Sequence, residues 1–567
     1  MTRTLTLALA AGTVVLATQV QAQQRYLEEI FTDAEINVTA NVIYGTNVNF
    51  LTSNLASPDV GPNIVQLQGL VDMQQPIPAP FYDPGDASTA LKVVDVRMDI
   101  YEPDQGADSE TARPVVLYVH TGDALPPPLN GSPTGRKEDS TVVEMCRRMA
   151  RRGYVAVAMN YRHGWNPLAP DLETRRGTLL NAVYRAIHDM RQCVRTLKAN
   201  AAGANDYAID PEKVIVIGEG TGGYLALSNA TLDDPMEMFT EKFLPDPFDP
   251  TVSYIDTMQV GNIDGTCPTG VPCLSLYRNN GFDYETHFAC NMGGAIADTT
   301  WLEPGDVPMV AFHTVFDPFA PFTQGVVIVP TTGDQVVPVE GSNYLMRLVN
   351  QYGNNASFAN LVSDPWTDRA RSLYGTTQTH AGGSVHINSN VEGLFPFVTM
   401  DWPGMMVAPF EEASPWQFWD PMSPLATAVV DAGPPPITAH QASLASNPNM
   451  SPAKARAYID TIMGYLNPRI VCALQLGPCA LVGIDENDPI ALGVDVFPNP
   501  SVDQVTVTSS AATVEHYEMF DVNGRLVRAF NVNSDRFTID RNGIEGGVYL
   551  LQLHFEEGAV SRRLVLE

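Results

Sequence analysis

The residues whose types and spacing point to chemistry lie at 214–224, Val-Ile-Val-Ile-Gly-Glu-Gly-Thr-Gly-Gly-Tyr. The β-branched run reads as a buried strand, the glycines as a tight turn, and the residues after them as the start of a helix. Gly218-Glu219-Gly220-Thr221-Gly222 keeps the G-x-S-x-G spacing, in which a serine on a strained strand-to-helix turn attacks an acyl carbon. Gly220 stands at the serine's place. Acyl transfer needs a hydroxyl activated by an imidazole, and glycine supplies none. Glycine does tolerate the unusual φ of such a turn, so the backbone shape can persist without the nucleophile. Thr221 carries a hydroxyl one position on, but the turn aims that side chain elsewhere. Its backbone N–H is the group that would serve an oxyanion.

The same residues, Gly218-x-Gly220-x-x-Gly223, satisfy a dinucleotide-binding fingerprint. That fingerprint requires a second strand ending in an acidic residue about 20 positions on. Residues 231–250 are a loop rich in Asp and Pro instead, so no cofactor is expected. Asp246, Asp249 and Asp283 are oxygen ligands on loops but lack the spacing of a calcium loop, and no compact Cys/His cluster has zinc spacing. No metal is expected.

The elements that must position the turn are legible around it. Residues 97–101 alternate, and Pro114–His120 is a continuous apolar run of the kind buried in a sheet. A helix is predicted from about Ser140 to Arg151, with Glu144 early and arginines at its end to suit the helix dipole. The strand Tyr154–Met159 follows, then a long helix over 176–200, the strand Val214–Ile217 and a helix over Tyr224–Ala230. Val307–His313 reads as a further strand, with helices at 342–352 and 453–466, the latter capped by Ser451-Pro452. Such alternation predicts an α/β fold, a doubly wound and mostly parallel sheet. Loop-rich insertions at about 231–290 and 354–450 fit a lid or a binding surface.

The 567 residues carry a formal charge of −31, which argues against nucleic acid or an anionic membrane as partner. Arg3, the apolar run Leu5–Ala17 and Val20-Gln21-Ala22 form a signal peptide over 1–22. No later stretch is long and apolar enough to span a membrane. Seven cysteines then enter an oxidising compartment. Cys267 with Cys273 and Cys472 with Cys479 bracket short loops and are expected as disulfides. Cys146 and Cys193, on predicted helices, form a third pair if those helices meet, and Cys290 is left over. After a linker at 481–493, residues 494–567 read as short alternating strands with a hairpin at Asn523-Gly524, a small C-terminal β-sandwich.

Two resemblances add to this reading. Phe497-Pro498-Asn499-Pro500, Met519-Phe520-Asp521-Val522-Asn523-Gly524-Arg525-Leu526-Val527, Gly546-Gly547-Val548-Tyr549-Leu550 and the terminal Arg562-Arg563-Leu564-Val565 resemble the C-terminal sorting domain of the type IX secretion system. The resemblance implies export through the periplasm to the cell surface or medium, with the secretion machinery as partner. Residues 97–230 resemble the carboxylesterase and feruloyl-esterase branch of the α/β-hydrolases, within an expected domain of 23–480. The landmarks are Asp99-Ile100-Tyr101, Val119-His120-Thr121-Gly122, Arg152-Gly153-Tyr154, Asn160-Tyr161-Arg162, Asp189, Ile209-Asp210-Pro211 and Gly218–Gly223.

Carried over, the resemblance places an oxyanion loop at His120-Thr121-Gly122, a second oxyanion donor at the Thr221 N–H and a triad acid at Asp317. A triad histidine should follow; His386, beside Gly382-Gly383-Ser384, is the first choice over His380 and His440. It implies a small ester or an ester of an extracellular polymer as substrate. Against this stand ordinary roles for the same residues, with His120 capping a strand, Asp317 in a turn and His386 in solvent. The functional readings are a hydrolase with an unusual active site and a non-catalytic surface protein whose old cleft binds a ligand.

Overall fold

The computed structural model describes residues 25–328, 335–361, 363–380, 383–399, 412–477, 494–510, 512–520, 526–555 and 558–566. The expected signal peptide, the expected linker, Cys479, Gly382 and the expected turn at Asn523-Gly524 lie outside them. Two compact units form, Met1–Cys479 and Ala480–Glu567.

Eight strands make the central sheet of the first unit: β1 Ile36–Val48, β2 Val93–Pro103, β3 Arg113–Val119, β4 Val155–Met159, β5 Ile209–Glu219, β6 Phe288–Met292, β7 Met309–Thr314 and β8 Leu394–Phe397. Their spatial order is β1-β2-β4-β3-β5-β6-β7-β8. β1 with β2 and β2 with β4 are antiparallel, and every later neighbour is parallel. This is the doubly wound sheet expected of an α/β-hydrolase fold. The inner strands are apolar throughout because helices cover both faces. Alternate residues of β3 serve opposite cores, Val116 and Tyr118 on one side, Val115, Leu117 and Val119 on the other.

The first face is covered by α2 (Ser140–Arg151) and α6 (Pro452–Ala473), the second by α3 (Leu172–Ala202) and α4 (Thr221–Thr231); α1 (Val60–Asp72) and α5 (Ser342–Tyr352) complete the long helices. The division corrects one cysteine expectation. Cys146 packs on the first face and Cys193 on the second, so the sheet separates them, and with Cys290 they are free and buried. Cys267–Cys273 is a disulfide. Cys472 is also disulfide-bonded.

β1, β6 and β8 were not legible in the sequence. Phe288-Ala-Cys-Asn-Met and Leu394-Phe-Pro-Phe sit at the edges of segments rich in loop residues and are too short to show a period. Their parallel pairing with neighbouring strands makes them strands. α6 likewise runs beyond its expected end at 466, through the buried Pro468.

In the second unit, a three-stranded sheet (Val494–Phe497, Gln504–Ser509, Arg536–Asp540) and a four-stranded sheet (Leu526–Ser534, Val514–Phe520, Gly547–Phe555, Gly558–Leu566) are both antiparallel. They bury Val505, Val507, Met519, Leu551, Leu553 and Leu564 between them.

Replacing Cys267 and Cys273 by serine should lower stability by about 2 kcal/mol, the loop-closure entropy of a ring this short. Urea unfolding of the double variant checks this; an unchanged midpoint would show that the loop is held by its other contacts.

Candidate active site

β5 ends at Glu219, and Gly220 is the N-cap of α4 with φ 52° and ψ −115°. A positive φ of this kind favours glycine. The turn is fixed by Gly220 N–H donating to Met292 O at 2.8 Å and Gly223 N–H donating to Gly220 O at 2.9 Å. Among the described residues no acceptor takes the N–H of Thr221 or Gly222, which point from the N-terminus of α4 as free donors.

The glycines around the turn are there because backbone passes too close for a side chain. A Cβ on Gly222 would overlap Val119 O and stand 2.7 Å from its carbonyl carbon. On Gly218 it would overlap the Gly222 carbonyl, and on Gly223 the Asn291 side chain. Gly220 differs. A Cβ there meets no backbone first: it would overlap Thr121 Oγ1 and lie 3.0 Å from Thr121 Cβ. Thr121, in the loop after β3, therefore fills the space from which a side chain at 220 would project.

The loop is held rigidly. His120 is fully buried; its Nδ1 lies 2.6 Å from Thr121 O, and its ring stacks on Tyr161 at 4.4 Å. Burial pushes its pKa down to about 4, so the imidazole is neutral scaffolding. Tyr161 donates its hydroxyl to His120 O and Thr121 O, each at 3.2 Å. Arg162 pairs with buried Asp189 at 2.8 Å, so these two family landmarks also hold the frame. Gly122 has φ 124°, and a Cβ there would stand 2.8 Å from Gly135 Cα.

The next residue, Asp123, escaped the sequence reading; its only signal was its place beside the loop. Its φ is 54°, its N–H donates to Thr221 Oγ1 at 2.8 Å, and its carbonyl accepts from Trp165 Nε1 at 2.6 Å. Desolvation pushes the half-buried carboxyl up to about 7. An acid whose folded pKa is raised costs stability once pH exceeds its unfolded value, and the cost is complete above the folded value. Asp123→Asn should therefore raise stability at pH 8 by about 1–2 kcal/mol, after discounting for solvent screening. The gain should disappear below pH 4. Asparagine also accepts the positive φ. Urea titrations at the two pH values check the sign; an equal effect at both would mean that the carboxyl is solvated.

Glu219, before the turn, is buried and accepts from Tyr118 Oη at 3.1 Å, Trp416 Nε1 at 3.1 Å and Gln417 Nε2. Burial raises its pKa. The second insertion thus clamps the elbow from behind. Next to the loop after β3, Ala124 and Leu125 form a small apolar cluster with Trp165, Ala182 and Val336, Val336 lying on the strand Gln335–Gly341 that pairs with Gln324–Ile328.

Asp317 lies just after β7 and is almost wholly buried. Its Oδ1 accepts from Phe319 N at 2.8 Å and Ala320 N at 3.0 Å, and its Oδ2 is 3.7 Å from His313 Nε2. Burial pushes His313 down to about 4, which makes that approach no ion pair. Of the three later histidines, His380 comes to the loop of Asp317, its ring centroid 3.6 Å from that of Phe316. His386 is exposed on the hairpin strand Gly383–His386, with Nδ1 3.2 Å from Thr377 Oγ1. His440 accepts from Trp419 Nε1 at 3.1 Å. The Tyr224 hydroxyl is buried with no hydrogen-bond partner among the described residues, and burial, then the charges of Asp317 and Asp123, raise its pKa.

Residues 98–260 match the BD-FAE family model, and residues 495–567 match the model of the secretion system C-terminal sorting domain. Among curated proteins, the non-reducing polyketide synthase atr1 of Stereocaulon alpinum is 28% identical over 142 residues, 24% of this chain. The chain spans only 5% of that protein's length. Among solved structures, an esterase from Thermogutta terrifontis with propionate bound aligns at 17% identity over 40% of this chain and 70% of its own, with a TM-score of 0.25. MGS-M1, an α/β-hydrolase enzyme from a Medee basin deep-sea metagenome library, aligns at 17% identity over 40% and 67%, with a TM-score of 0.23. No helix among the described residues is long and apolar enough to cross a membrane. The chain carries an esterase-like BD-FAE domain within an α/β-hydrolase sheet and ends in a secretion-system sorting domain, which directs it to the extracellular or cell-surface space.

Proposed function

We propose that this is a secreted or surface-held α/β-hydrolase-fold protein that has given up serine-based ester hydrolysis and kept the cleft as a ligand-binding site. The observation that carries the reading is the Thr121 side chain standing where the side chain of residue 220 would begin. A lost serine leaves a gap, and here a neighbour occupies it while the glycine-packed turn and the free N–H groups of Thr221 and Gly222 remain. The retained donors suit a carbonyl or carboxylate oxygen, the group an esterase cleft holds.

The purified protein should show no labelling by a fluorophosphonate and no turnover of short-chain nitrophenyl esters above background. Turnover would sink the reading. A second reading, an active esterase working through a positioned water, draws on Asp123, whose raised pKa suits a general base near neutral pH. It requires hydrolysis that Asp123→Asn abolishes.

A further inference from the structure

The outer face of the four-stranded sheet in the second unit carries two histidines side by side. Side chains alternate along a strand, and Tyr517, Met519, Leu551 and Leu553 point into the core. His516 and Glu518 of Val514–Phe520, with Gln552 and His554 of Gly547–Phe555, therefore share the opposite face. His516 stands directly opposite His554 in the register, and Glu518 stands opposite Gln552. The two imidazoles stack, with ring centroids 4.1 Å apart and planes within 7° of parallel. The His554 side chain is 19% exposed, so the stack is only partly screened by water.

Glu518 Oε2 lies 3.6 Å from His554 Nε2, beyond hydrogen-bond length. That nitrogen is buried and has no hydrogen-bond partner among the described residues. The flanking strands bring no charge to this row of the sheet. On Leu526–Ser534, Asn531 stands opposite His516 and Ala529 opposite Glu518. On Gly558–Leu566, Ala559 stands opposite His554 and Ser561 opposite Gln552, and the first charged residue of that alternation, Arg563, stands opposite Leu550. Glu515 is exposed at the bulge before His516. Burial, and then His516, hold His554 below its ordinary value of 6.5, and Glu518 offsets them only in part.

Two imidazoles stacked this closely take one proton easily and resist a second, which puts like charges on facing rings. One carboxylate balances one imidazolium and not two. We propose that the His516–His554 pair is an acid-sensitive latch in the sorting domain: one proton is held beside Glu518, and a second drives the rings apart and loosens the pairing of Val514–Phe520 with Gly547–Phe555. Acid therefore weakens this sheet. A histidine whose folded pKa is lowered contributes its full stability above its ordinary value. That contribution is lost as pH falls through 6.5 toward the folded value, because the unfolded chain then binds more protons than the folded one. The residues concerned belong to the domain that directs export, so the latch acts on that domain and not on the elbow.

Amide hydrogen exchange of the full chain tests this, read by mass spectrometry in peptides covering 514–520 and 547–555 and corrected for the intrinsic pH dependence of exchange. Between about pH 7.5 and about pH 5 the opening of those strands should rise about tenfold, the equivalent of one pKa unit withheld by the pair. His516→Gln and His554→Gln should each abolish the rise, and the double variant should go no further than either single one, because the response belongs to the pair. Glu518→Gln should enlarge the rise, since the first proton then lacks its carboxylate; a purely structural role for these side chains would not make the effect depend on pH. A flat profile in the natural chain, single variants that each leave half of the rise, or a rise that Glu518→Gln does not enlarge would overturn the proposal. If neither histidine variant folds, Glu518→Gln carries the comparison by itself.

Discussion

Gly220→Ser combined with Thr121→Gly is expected to react with a fluorophosphonate at position 220, whereas Gly220→Ser alone stays unlabelled. The single variant places a Cβ into the Thr121 hydroxyl and 3.0 Å from Thr121 Cβ, so either the threonine or the turn must move. The positive φ of 52° adds about 1 kcal/mol of strain for any L-residue. Removing the threonine side chain clears both atoms. The new hydroxyl then stands at the N-terminus of α4, beside the Thr221 and Gly222 N–H groups. Labelling should exceed that of the single variant roughly 10²-fold, well short of the factor of about 10⁶ that a refined triad confers. Adding His380→Ala should remove it, and adding His386→Ala should not. Intact-mass spectrometry and peptide mapping decide the matter: an unlabelled double variant would mean that the rest of the triad is not in place, and sensitivity to His386 would restore the histidine favoured by sequence.

Gly222→Ala should have the largest effect on stability. The added methyl overlaps Val119 O and comes within 2.9 Å of His120 O. Both atoms are backbone of the β3 end and the loop after it, in the middle of the sheet, so no side-chain rotation relieves the clash. A loss of more than about 4 kcal/mol is expected, the range reserved for such defects, and the protein should fail to accumulate in soluble form. Normal expression with an unchanged Tm would show that the elbow can open by an ångström and would weaken the steric argument for Gly220 as well. Comparison with Gly61→Ala on α1, where nothing lies within 4 Å and φ is not positive, controls for glycine replacement in general.

Much of the frame around this site was visible in the residues. The apolar run Val214–Ile217, the glycine spacing and the helix periods at 140–151 and 176–200 are local signals, set by neighbours a few positions apart. The structure extends those elements by only a few residues. The strands 288–292 and 394–397 carry no such signal, and only pairing with β5 and β7 makes them part of the sheet. His120-Thr121-Gly122, Asp317 and the three later histidines could be named as candidates from their order along the chain. Asp123, Tyr224 and Glu219 could not, because each matters through a partner far away in sequence, as Glu219 does through Trp416 and Gln417.

By itself the sequence determined that this chain is a doubly wound α/β protein, that it ends in a secretion sorting domain, and that the central position of its strand-to-helix turn has no side chain. Those are properties of composition, period and motif. Tertiary structure alone decided what fills that position, since Thr121 reaches Gly220 only after β3 and β5 pair side by side. It decided that Cys146 and Cys193 lie on opposite faces of one sheet, and that His380 meets the loop of Asp317 while His386 faces solvent. Each depends on which distant side chains share a few ångströms, and that is set by packing rather than by spacing along the chain.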